Sequence, residues 1–73
     1  MEKVTVKIDG MMCGMCEAHI SDTIRRAFPD AKKVKASRKG GEATFLIEGT
    51  LDTEKLKKSI AETGYTYLAV KLG

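Results

Sequence analysis

Both cysteines of the chain fall in one short stretch, Gly10-Met11-Met12-Cys13-Gly14-Met15-Cys16. Two thiols three residues apart converge on one point when a helix starts beside them, and the thiolate is the form that ligates metal. The unpaired N–H groups and the positive end of the helix dipole favour negative charge at such a start. Gly10 and Gly14 let the backbone bend around the pair. The stretch therefore offers two soft sulfur donors in an exposed loop.

Ligand count and softness narrow the metal. Structural zinc takes four ligands, usually through a second cysteine or histidine pair. Here Cys13 and Cys16 are the whole thiol supply, and His19 is the single histidine. Two thiolates suit a linear, two-coordinate d¹⁰ ion, and among common cell metals they select Cu(I). Hg(II) satisfies the same geometry. A carboxylate just before the first cysteine would help Zn(II) or Cd(II); Met12 stands there instead.

The elements that must position this loop follow from periodicity. Val4, Val6 and Ile8 alternate with Thr5 and Lys7, a strand with one buried face, and Asp9-Gly10 is a turn signal. Ile20, Ile24, Ala27 and Phe28 share one stripe of a helix over residues 17 to 28, which Pro29-Asp30 ends. A weak strand runs through Val34 and Ala36 to a hairpin turn at Arg38-Lys39-Gly40-Gly41. Ala43, Phe45 and Ile47 alternate with polar residues in a third strand. Asp52 caps a second helix with Leu51 and Leu56 at staple spacing, and Gly64 closes it. Residues 66 to 72 form a last strand of ambiguous register, because Tyr67 and Ala69 compete with Leu68, Val70 and Leu72 for the inner face. The order β-α-β-β-α-β predicts an α+β, ferredoxin-like sandwich: a four-stranded antiparallel sheet with two helices on one face.

With 73 residues the chain makes one small domain. A single thin core leaves little interior for a deep catalytic cleft. The net charge of +3 comes from basic residues spread along the chain among acids, without interleaved aromatics, so no nucleic-acid partner is expected. No apolar run reaches the roughly 20 residues of a membrane span, and the N-terminus lacks a signal-peptide core. The expectation is a cytoplasmic protein with no membrane insertion.

The segment from Gly10 to Cys16 resembles the G-M-x-C-x-x-C signature of the heavy-metal-associated domain. That family includes free-standing copper chaperones, and the N-terminal modules of copper-transporting P-type ATPases. The resemblance extends over the length of residues 1–73, the element order and the Gly64-Tyr65 pair, where a tyrosine is typical of bacterial copper chaperones. It implies a single heavy-metal-associated domain, not an enzyme. Such a domain binds Cu(I) through Cys13 and Cys16 and passes it to a similar site. The implied partner is the metal-binding domain of a copper-transporting P-type ATPase or a copper-responsive regulator; a metal-bridged homodimer stays open. So do two alternatives: a domain excised from such an ATPase, and a thiol-disulfide redox protein. Against the last, the Trp and Pro that surround thioredoxin-type dithiols are missing.

Around the thiols the resemblance implies further roles. Met11 packs inward under the loop and does not ligate. Tyr65 faces the metal as a lid. Met12, where Thr or His is commoner, and Met15, in an often polar position, read as exposed contact residues. His19 follows Cys16 by three residues and reads as a solvated helix residue. Met12, Met15 and His19 alternatively add a weak third ligand or shield the site. The docking edge is expected to include Asp9, Glu17, Glu62 and Tyr65.

Overall fold

The computed structural model describes residues 2–11, 14–49 and 51–73. Six elements follow in order: β1 (Glu2–Asp9), α1 (Gly14–Ala27), β2 (Lys32–Ser37), β3 (Glu42–Ile47), α2 (Thr53–Glu62) and β4 (Thr66–Leu72). The strands make one antiparallel sheet in the order β2-β3-β1-β4, with the two helices packed over it. This is the ferredoxin-like βαββαβ sandwich.

Alternation builds the sheet side of the core. Val4, Val6 and Ile8 of β1 and Ala43, Phe45 and Ile47 of β3 are all buried. Val4 stands opposite Phe45, and Val6 opposite Ala43. Helical spacing builds the other side: Ile20, Ile24 and Ala27 of α1 and Leu56 and Ile60 of α2. Each large side chain removed from water contributes roughly 1.5–3 kcal/mol. Phe28, just past α1, stacks on Phe45 with ring centroids 5.8 Å apart, and so ties that helix end to the centre of the sheet.

α1 begins at Gly14, three residues before the expected start at 17 and six before Ile20, the first residue of its apolar stripe, and ends at Ala27. Gly14 and Met15 are exposed, so no buried residue announces this first turn. Phe28 lies outside the helix, although its N–H still reaches the Ile24 carbonyl at 2.8 Å.

The register of β4 is resolved by a bulge. Lys7 pairs with Ala69 and the next residue, Ile8, with Tyr67. Leu68 is the extra residue. Tyr67 and Val70 consequently both turn inward against the core, while Leu68 and Ala69 between them are exposed. A comparable irregularity separates the Lys32 and Lys35 pairings of β2, with Lys33 at φ +53°, a left-handed backbone that a lysine seldom adopts.

α2 is capped as its sequence reads. The Asp52 carboxylate accepts from the Lys55 N–H at 3.0 Å, Leu51 and Leu56 are buried together, and Gly64 takes φ +91° just past the end. Asp52→Ala is expected to cost about 1 kcal/mol, and Asp52→Asn much less, because asparagine keeps the accepting oxygen. Urea unfolding of the two variants checks this. Equal losses would mean that the carboxylate charge, and not the capping bond, matters.

Candidate metal centre

The candidate loop leaves the end of β1, the strand next to the sheet's β4 edge, and enters α1. Gly10 makes the exit with φ +102°, a conformation open to glycine and strained for other residues. Beyond it Met11 is 6% exposed and belongs to the core. Met12 and Cys13 lie outside the described residues.

Cys16 is the third residue of α1 and is half-buried, with its side chain against the core. It sits among the first-turn N–H groups, which have no partner within the helix and favour a thiolate nearby. Met15, beside it, is 83% exposed and turns away from the core. Among the described residues, no three of His, Cys, Asp and Glu are grouped to hold a metal ion.

Tyr65 is placed by the exit of α2. The Thr63 hydroxyl donates to the Ile60 carbonyl and accepts the Tyr65 N–H at 3.3 Å, which holds the chain as it turns at Gly64. The half-buried Tyr65 ring lies against Gly10: a Cβ added there would stand 3.3 Å from the ring. His19 meets the other side of this arrangement, edge-on to Tyr65, with centroids 5.9 Å apart and planes at 74°. Loop, first helix and second loop thus meet at one tyrosine. His19 is exposed, yet it leans on Tyr65 and also lines the cleft between the helices with Thr23, Arg26, Ser59, Glu62 and Thr63.

Gly10→Ala is expected to lose about 1–3 kcal/mol, because the backbone is strained and the new methyl group presses on Tyr65. Unfolding curves give the cost. Intrinsic tyrosine emission gives the displacement, in a chain with two tyrosines and no tryptophan. Unchanged stability and emission would mean that Gly10 is not held to this conformation.

Of the four residues expected at a docking edge, Glu17 has a further task. Its carboxylate accepts the Arg38 N–H at 2.7 Å and fastens the start of α1 to the β2–β3 turn. No local pattern announces this bond, since the partners stand 21 positions apart. Asp9 and Glu62 are exposed.

The mercuric reductase of Lysinibacillus sphaericus is 34% identical over 65 residues, which are 89% of this chain and 12% of the reductase. The chain therefore spans a small fraction of that relative's length. The fold is similar to the CopZ metallochaperone, with a TM-score of 0.79 at 15% identity over 90% of this chain and 98% of that one. It is equally similar to a copper binding domain from HMA7, a P-type ATPase, with a TM-score of 0.79 at 20% identity over 97% and 99% of the two chains. Residues 5–66 match the heavy-metal-associated domain, and the chain belongs to that family.

Proposed function

We propose that residues 1–73 act as one non-enzymatic module that carries a single soft metal ion, Cu(I), between the thiolates of Cys13 and Cys16. The observation that carries this reading is the position of Cys16. The second thiol of the pair stands in the first turn of α1, with the largely exposed Met15 next to it.

That arrangement suits transfer more than storage. An incoming thiolate adds to the ion to make a three-coordinate intermediate, after which Cys13 or Cys16 leaves. Both sulfurs bind as thiolates, so the electrons and the oxidation state of copper are unchanged. Met15 offers a soft apolar contact to the partner. Tyr65 shields the loop, and Met11 supports it from the core. The partner in this reading is the metal-binding domain of a copper-transporting P-type ATPase or a copper-responsive regulator, met in the cytoplasm. Within the described residues no helix is long and apolar enough to cross a membrane.

A second reading is supported by the likeness to the mercuric reductase: the same pair passes Hg(II), and the chain serves as a module of a mercury-handling system. Two thiolates hold either ion in linear geometry, so the donors alone do not separate the readings.

Anaerobic titration of the reduced protein with Cu(I), and in parallel with Hg(II), against a thiol competitor and followed by sizing, is the test. One Cu(I) per chain is expected, or one per two chains if the ion bridges a dimer. No uptake of Cu(I) by the reduced protein would overturn the copper reading. Steady disulfide-reductase turnover would replace it with a redox function.

A further inference from the structure

The face of the sheet turned away from the helices carries a charge pattern that the metal site does not use. Val4, Val6 and Ile8 point into the core, so Lys3 and Lys7 point out. Lys35 of β2 and Lys71 of β4 are likewise exposed, with Lys33 at the β2 irregularity. Two adjoining shallow hollows share Lys3. Lys33 and Lys35 line one, and Lys7, Lys71 and Glu42 line the other. Glu42 is the one acid among the described residues lining them, and Lys7 holds it at 2.9 Å. Lys3, Lys33, Lys35 and Lys71 enter no ion pair among the described residues. Five lysines against one glutamate make this face more positive than the whole chain, whose net charge is +3, so the remainder is slightly acidic.

We propose that this sheet face is a docking surface for the anionic headgroups of a lipid bilayer. Its charges are lysine ammonium groups spread over three strands of the sheet, β1, β2 and β4, which suits a broad field of headgroups more than one bidentate anion. No exposed aromatic ring stands among them to stack a nucleic-acid base. The β4 bulge adds an apolar side chain: Leu68, 58% exposed, is the extra residue before Ala69 on the edge strand that also carries Lys71. An exposed leucine on a lysine-bearing edge strand matches the boundary between headgroups and acyl chains. Docking through the sheet leaves both helices, and with them Cys16 in the first turn of α1, clear of the bilayer, so a protein partner at the membrane can still reach that helix start.

The test is co-sedimentation with vesicles of phosphatidylcholine, with and without about one third phosphatidylglycerol. The wild-type chain is expected to partition onto the anionic vesicles only, and to release as salt shortens the Debye length to about 8 Å. Each lysine near such a surface is worth roughly a fivefold change in partitioning, so the triple variant K3Q/K35Q/K71Q should bind about 100-fold more weakly. Circular dichroism verifies that it is folded. Leu68→Ser should weaken the part of binding that persists in salt. No partitioning at low salt, equal binding to neutral vesicles, or wild-type binding by the folded triple variant would each overturn the proposal. Binding to a DNA duplex or to polyglutamate, without binding to vesicles, would also overturn it, by giving the face to a different polyanion.

Discussion

Cys16→Ser is expected to weaken Cu(I) binding by at least two to three decades and to leave the fold standing. Structural zinc binding amounts to roughly 10–16 kcal/mol over four ligands, or about 2.5–4 kcal/mol for each. In a site with two strong donors each carries a larger share, so two to three decades is a floor. A serine hydroxyl is hard and stays protonated, so it does not replace the thiolate for a soft ion. Nor is a group of three nitrogen or oxygen donors available among the described residues to compensate. The cost to stability is small but not zero. Cys16 is half-buried and packs against the core, so it is less detached from the fold than a residue of a free loop would be. About 1 kcal/mol is expected for placing a hydroxyl there. Competition with a chromophoric Cu(I) chelator measures the affinity, and urea unfolding of the metal-free protein measures the stability. Near-native affinity in the variant would end the two-thiolate reading.

Phe45→Ala is expected to be the most damaging single truncation in the core, at about 3–5 kcal/mol. Phe45 is 1% exposed at the centre of β3, opposite Val4 and stacked on Phe28. A domain of this size has only roughly 4–11 kcal/mol of stability in total. The variant should therefore unfold at a much lower urea concentration, with the slope of the transition unchanged. The loss reaches the candidate site indirectly, since Phe28 and the end of α1 lean on the same ring. A loss below about 1 kcal/mol would mean that the sheet repacks around the gap. Phe45 would then not be the keystone of the β3 side of the core.

The element order was legible in the sequence because periodicity is a local property. Val4-Val6-Ile8 and Ala43-Phe45-Ile47 each state a period of two, and Ile20-Ile24 and Leu56-Ile60 each state one helical turn. The Asp52 cap and the Gly64 stop are equally local. The Cys13-Cys16 spacing, at the junction of a strand and a helix, marked the candidate site for the same reason.

Tertiary structure decided what depends on pairing between distant segments. Residues 66 to 72 fit two registers, and only the match to β1, with Leu68 bulged out, lets Tyr67 and Val70 both pack partly buried against the core. The first turn of α1 buries little of its own, so its start at Gly14 has no apolar signature. Tyr65, Gly10 and His19 meet because the sheet sets the β1 exit beside the β4 entrance, and no spacing in the chain records that contact. The lysines show the same limit. Lys3, Lys35 and Lys71 read singly as solvated positions, scattered among acids. Placing β1 between β3 and β4 gathers them on one face, because side-chain alternation fixes which way a residue points but strand order alone fixes its neighbours.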